Sequence, residues 1–358
     1  MCIRTADNVT LVVQGQEDDA EQPRVEPGTQ LHGSILLERT ENIKSVVLQI
    51  EGLLETLPLP SSYMSIPLFR ITEELYTIES PSSTPAHNFA FSHSLPPKFR
   101  YHDKLYPLPP TCHVSFDNLH FVKCAYRITV TVVSARHRRA SFLTKSNHVS
   151  FELNYRPRTR PSQPLIANPS LVETVKLCPE EWTQCSKVVD VSRLPVLCDV
   201  SFISPSGMIS MLNRKYQLFM PSIRAFCVED PIPFHLQLSS VESSHPNIGS
   251  AEPPRVKVRI MRRITMIATD RMAERCIVLG EGTLQPLPTH GTHATLNWQG
   301  EAHCRDPRSI VGTFDCGPAV AVMDMLVIDI LPPLGCPVQH ASFGFPIKLT
   351  THRWDHYD

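Results

Sequence analysis

Two antiparallel β-sandwiches joined by a short Pro/Arg-rich linker are the fold that this sequence predicts. Three observations carry that reading. Apolar and polar residues alternate with period two along most of the chain, proline is in excess while glycine is scarce, and one proline-studded segment divides the chain near its middle. The 358 residues include 33 Pro and 14 Gly, where average usage gives roughly 18 and 25. Prolines at that density cut the chain into short segments and argue against long helices. Hydrophobic residues make up 42%, enough for two cores at roughly 150 residues per domain.

The strands follow from the alternation. Leu31, Gly33, Ile35 and Leu37 form one set, and Val46, Leu48 and Ile50 against Val47, Gln49 and Glu51 form the next. Tyr126, Ile128, Val130 and Val132 alternate with Arg127, Thr129 and Thr131, as do Val149, Phe151, Leu153 and Tyr155 with Ser150, Glu152 and Asn154. In the second half, Phe234, Leu236 and Leu238 flank His235 and Gln237, and Val256, Val258 and Ile260 flank Arg255, Lys257 and Arg259. Each set places apolar side chains on one face and mostly polar ones on the other, as in antiparallel sheets with one solvated face. Arg262 falls on the apolar parity of its strand, so a bulge or strand end is expected there. Turn-forming clusters such as Glu26-Pro27-Gly28, Ser80 to Pro85 and Ser243 to Pro254 separate the strands. Between Arg156 and Pro164, Pro157, Pro161 and Pro164 have no apolar side chain among them, which reads as a stiff linker. The predicted division is an N-terminal sandwich over 1–158, a linker and entry segment over 159–187, and a C-terminal sandwich over 188–358, with strands resuming by about Val188.

Charge and cysteine content narrow the function. The 34 Lys+Arg balance 35 Asp+Glu, which removes a whole-protein electrostatic argument for nucleic acid. Eleven cysteines include no C-x-x-C pair, and the start, Met1 to Asp7, has no apolar stretch of signal-peptide length. The longest apolar stretch, Pro318 to Leu331, is interrupted by Asp324 and Asp329 and is too short to span a membrane. The expectation is a cytosolic protein with thiols rather than disulfides and no transmembrane segment.

Catalytic signatures are missing from the sequence: there is no G-x-S-x-G, G-x-G-x-x-G or H-E-x-x-H. Gly280-Glu281-Gly282 reads as part of a strand and turn. His290, His293 and His303-Cys304 lack zinc-ligand spacing and read as surface residues. A non-enzyme without cofactor or metal is expected.

The order of segments resembles the arrestin family. The run Leu31-His32-Gly33-Ser34-Ile35-Leu36-Leu37-Glu38, followed by Ile43 to Gly52, looks like the opening of an arrestin N-domain. Leu95-Pro96-Pro97 and Leu108-Pro109-Pro110, then Cys124 to Val130, are similar to that family's Pro-containing turn and long strand. Met220-Pro221-Ser222-Ile223-Arg224 with Pro231 to Leu238 looks like the start of a C-domain, and Ser342 to Leu349 like its closing strand. The resemblance is closest to the α-arrestin branch of trafficking adaptors. It implies an arrestin-type pair of immunoglobulin-like sandwiches acting as an adaptor or scaffold in endocytosis and protein transport. By the resemblance, such an adaptor sits in the cytoplasm, peripheral at the plasma membrane or endosomes. Its partners would be cytosolic tails of membrane transporters or receptors, phosphorylated or acidic, with anionic lipids as a further partner. Ubiquitin-ligase recruitment would need an indirect route, because no Pro-Pro-x-Tyr is present; the nearest match is Pro96-Pro97-Lys98-Phe99. Two other readings stay open: a structural subunit of a trafficking complex with the same fold, and a secreted Ig-like tandem domain.

Basic clusters are the candidate contact residues. Arg136, Arg138 and Arg139 stand in a segment, Ser134 to Ala140, that reads as an exposed loop. Arg156, Arg158 and Arg160 alternate through the linker, and Arg255, Lys257 and Arg259 line one face of a strand. Guanidinium forks match carboxylate and phosphate geometry, so these positions suit anionic tails or headgroups.

Overall fold

The computed structural model of the chain describes residues 1–17, 20–57, 63–78, 85–116, 120–137, 140–165, 178–188, 214–240, 255–267, 272–288, 296–317, 320–331 and 341–355. They form an essentially all-β architecture of several sheets, whose one described helical turn is a 3-10 turn at Pro179–Glu181. Two compact units are present. One comprises Met1–Arg158, Ile264–Arg275 and Phe314–Val322; the other comprises Thr159–Arg263, Cys276–Thr313 and Met323–Asp358.

In the first unit, β1 (Cys2–Ala6), β2 (Val9–Val13), β4 (Gln30–Leu37) and β7 (Asn88–Ser94) make a four-stranded sheet in that order. A second sheet runs β3 (Arg24–Val25), β12 (Ala140–Tyr155), β11 (Phe121–His137), β5 (Ile43–Leu57) and β6 (Met64–Thr77), with β10 (Cys112–Ser115) also paired to β11. Strands β8 (Lys98–Tyr101) and β9 (Lys104–Pro107) form a separate ribbon. The alternation read from the sequence is the burial pattern seen here: Val46, Leu48 and Ile50 on β5 and Tyr126, Ile128, Val130 and Val132 on β11 are buried. Tyr126 shows how tightly that face is set. Its hydroxyl donates to the Pro109 carbonyl at 2.6 Å, and its ring packs against Tyr155 and Phe69. Gly52 lies directly across the ladder, where a Cβ would come within 2.8 Å of the Tyr126 ring, so only glycine leaves the ring its place.

One sequence expectation changes in this unit. Ser134 to Ala140 was expected to be a loop, but β11 runs on through His137 and pairs Ser134 with Lys145, Ala135 with Thr144 and His137 with Ala140, with a register shift between Ala135 and His137. Two long strands that twist together extend a hairpin well past its last strongly apolar position. The Pro-rich segment that follows β12 is held by hydrogen bonds. The Arg156 amide donates to Val25 O at 2.9 Å, while Thr159 exchanges hydrogen bonds with Thr351 and His352 at 2.9–3.3 Å.

A nine-stranded sheet, most of whose residues belong to the second unit, has the order β13 (Trp182–Val188), β14 (Arg214–Pro221), β16 (Ile232–Ser240), β19 (Leu296–Cys304), β18 (Met272–Pro286), β17 (Arg255–Ile267), β20 (Val320–Leu331), β21 (Ala341–Thr350) and β15 (Ala225–Cys227). Strand β13 begins at Trp182, so strands have resumed by Val188. The sheet curls into a half-barrel, so Tyr216 on β14 packs against Phe343 on β21 with ring centres 6.1 Å apart. Leu218, Phe226, Phe234, Ile260, Leu326 and Ile328 fill the inside.

Strand β17 does not end or bulge at Arg262. Burial keeps its alternation through Val258, Ile260, Arg262, Ile264 and Met266, so Arg262 points inward with them. Its guanidinium forks onto Asp324 of β20, Nε to Oδ1 at 2.7 Å and Nη2 to Oδ2 at 2.9 Å, and also donates to Val311 O at 2.8 Å. Thr313 adds a hydroxyl to Asp324 at 2.6 Å and accepts the Leu349 amide at 2.7 Å.

His235 corrects the idea of a solvated outer face on β16. It lies on the parity opposite Phe234 and Leu236, yet is 4% exposed, edge-on to Phe219. Its Nδ1 has no hydrogen-bond partner among the described residues. Burial lowers its pKa from 6.5 to about 4, only partly opposed by Asn297. The unfolded chain therefore takes up a proton below pH 6.5 that the folded chain refuses until about pH 4, and stability falls as pH drops through that window. The expected loss is up to about 3 kcal/mol. Urea unfolding of the parent and of His235→Gln at pH 7 and pH 4 should show this extra acid loss in the parent alone; equal losses would contradict it.

Candidate anion-binding face

The outer face of β17 carries Arg255, Lys257, Arg259, Met261 and Arg263 at every second position, because the inward parity is taken by Val258, Ile260 and Arg262. A row of cations on a central strand is costly unless carboxylates on the neighbours or solvent relieve it. Among the described residues, Asp329 and Glu281 are carboxylates that meet cations of this row.

Arg259 is committed. Its Nη2 and Nε both donate to Asp329 Oδ2 on β20, at 2.5 and 3.0 Å, and the Asp329 side chain is 4% exposed. Lys257 lies 4.0 Å from Glu281 Oε1 on β18, and Arg305, just after β19, reaches the same oxygen at 2.6 Å. One exposed carboxylate thus serves two exposed cations. Arg263 directs its Nη2 to the Met323 sulfur at 3.5 Å rather than to a carboxylate. Arg255 is exposed at the strand start. The arrangement leaves a net positive strip held on backbone of fixed geometry, suited to receive carboxylate or phosphate oxygens by charge-assisted hydrogen bonds.

The other predicted clusters are placed differently. Arg136 is in β11 next to the register shift, and Arg138 and Arg139 lie outside the described residues. In the linker, Arg158 pairs with Glu26 through Nε, and Glu26 also holds Arg24 at 3.0 Å while being 12% exposed. Arg156 donates to Asn154 at 3.4 Å, and Arg160 is exposed. Arg305 and Arg263 extend the β17 cluster beyond Arg255, Lys257 and Arg259. Arg263 had a signal in its parity with Arg255, Lys257 and Arg259; Arg305 had none, because it is the pairing of β18 with β19 that brings it to Glu281.

Among the described residues, no group of three or more His, Cys, Asp and Glu side chains is placed to hold a metal ion. His303 is exposed beside Glu301, and His290 and His293 lie outside the described residues. No described helix is long and apolar enough to cross a membrane. No protein-family model matches the chain, and a search of curated proteins finds no match.

The committed and the available arginines should separate by mutation. Arg259→Ala takes the guanidinium away from a buried carboxylate and should cost about 2–4 kcal/mol. Arg263→Ala, on the same face, should stay within about 0.5 kcal/mol. Denaturant titration of both variants checks this, and equal costs would show that the row is uniform.

Proposed function

We propose that the chain is a non-enzymatic, arrestin-like adaptor that holds acidic or phosphorylated cytosolic tails of membrane transporters or receptors on the outer face of β17. It would act in the cytoplasm, at the plasma membrane or endosomes. The observation that supports this reading is the surplus of cations: Lys257 and Arg305 share Glu281, and Arg263 faces a thioether. The order of motifs along both halves of the chain supports the family assignment, and the all-β sheets are compatible with it.

Direct recruitment of a WW-domain ligase has no support at the nearest matching segment. Phe99 of Pro96-Pro97-Lys98-Phe99 is 2% exposed and packed against Tyr106, and the Pro97 carbonyl accepts the Leu108 amide at 3.2 Å. A WW groove grips an extended, accessible proline segment. Ligase recruitment, in this reading, takes an indirect route.

Fluorescence anisotropy with matched acidic, phosphorylated and neutral peptides tests the proposal on the full chain. The parent should prefer the anionic peptides, with affinity falling as salt is raised because the Debye length shortens from about 10 Å at 0.1 M to about 3 Å at 1 M. The variant Lys257→Gln/Arg263→Gln/Arg305→Gln should bind about tenfold or more weakly with nearly unchanged thermal stability. Unaltered affinity in that variant would remove this face as the site.

A further inference from the structure

The cysteines of the first unit fall into a pattern that the anion-binding face does not use. Cys112 on β10 and Cys124 on β11 are directly opposed in an antiparallel ladder. Directly opposed residues have Cα atoms about 4.5–5.5 Å apart, within the roughly 4.4–6.8 Å window of a disulfide. Both side chains emerge on the same side of the ladder, so neither strand has to shift register for the sulfurs to meet. Both residues carry thiols in this structure.

We propose that Cys112 and Cys124 are a reversible oxidation site, joined as a cross-strand disulfide by a hydroperoxide. The two thiols have separate roles. Cys112 is half-buried and can be reached by a small oxidant, whereas Cys124 is 1% exposed. Burial raises the Cys124 thiol well above its ordinary range, with Cys112 adding to the shift, so Cys124 stays protonated and is the second to react. In the first step the Cys112 thiolate attacks the terminal oxygen of the hydroperoxide. The O–O bond breaks, the alcohol or water leaves with a proton, and Cys112 becomes a sulfenic acid. In the second step the Cys124 sulfur attacks the Cys112 sulfur, its proton leaves with the hydroxyl as water, and the S–S bond forms. Two thiols are oxidised and one peroxide is reduced.

The surroundings tolerate the change. The Cys124 thiol donates weakly to the Pro109 carbonyl, at 3.9 Å, and the Tyr126 hydroxyl donates to the same oxygen at 2.6 Å. Loss of the thiol proton therefore leaves that buried carbonyl satisfied. The link would close the turn between β10 and β11 and fix β10 to its neighbour, where four residue pairs now hold it.

The test exposes the full-length protein to hydrogen peroxide, blocks remaining thiols with an alkylating agent and maps the peptides under non-reducing conditions. The expected result is a Cys112–Cys124 crosslink that dithiothreitol reverses and that Cys112→Ser abolishes. In Cys124→Ser, Cys112 should stop at the sulfenic acid and be trapped by dimedone. A map in which Cys112 links chiefly to another cysteine, such as Cys316, or in which both thiols stay alkylatable while the others oxidise, overturns the proposal. Absence of the dimedone adduct on Cys112 in Cys124→Ser also overturns it.

Discussion

Arg262 and Asp324 meet fork to fork inside the half-barrel, and the rest of that unit is arranged around them. Taking two charges out of water costs several kcal/mol each, and their attraction offsets this only when the geometry is good and the remaining polar atoms are satisfied. Here the fork is bidentate and both carboxylate oxygens are engaged. The two oxygens of Asp324 receive two donors from Arg262 and one from Thr313, and Nη2 of Arg262 also donates to Val311 O. Because Thr313 also accepts the Leu349 amide, one network ties β17, β20, the 311–313 segment and β21. A strand pinned in this way cannot slip by one residue, since a slip would turn Arg262 outward and drive the Arg255, Lys257 and Arg259 row into the core.

The inward pin and the outward row are therefore one constraint seen from two sides. Fixing the parity of β17 buries one arginine and obliges its neighbours to face out. On the outer face, Arg259 is drawn onto a nearly buried carboxylate and becomes structural, while Lys257, Arg305 and Arg263 keep charge in excess of their partners. Arginine does both jobs because a planar fork satisfies a buried carboxylate and a transient phosphate with the same geometry. Glu26 repeats the shared-carboxylate theme in the first unit with Arg24 and Arg158, but at 12% exposure it is mainly a clasp for the chain leaving β12.

Alternation made the strands legible: the sets around Val46, Tyr126, Val149, Phe234 and Val258 are strands with the expected inward residues. What stayed hidden was long-range chemistry. Arg262 on an apolar parity read as the end of a strand, and Asp324 as an interruption in an apolar stretch, because their partnership spans 62 positions and no local pattern shows it. His235 read as solvated for a related reason, since period two assigns a face but not what lies over that face. The basic row of β17 was visible as a row; which member is committed and which is available depends on Asp329 and Glu281, carried on other strands. Cys112 and Cys124 were counted as thiols, and only the ladder register shows that they oppose one another.

A double-mutant cycle on the buried pair tests this account most directly. Arg262→Met, Asp324→Leu and the double variant should be unfolded in urea beside the parent. Each single change leaves an uncompensated buried charge and should cost about 3–5 kcal/mol. The double change should cost less than either single one, giving a coupling of about 3 kcal/mol or more. Single costs that simply add in the double variant would show that Arg262 and Asp324 act independently, and that the parity of β17 is held by something else.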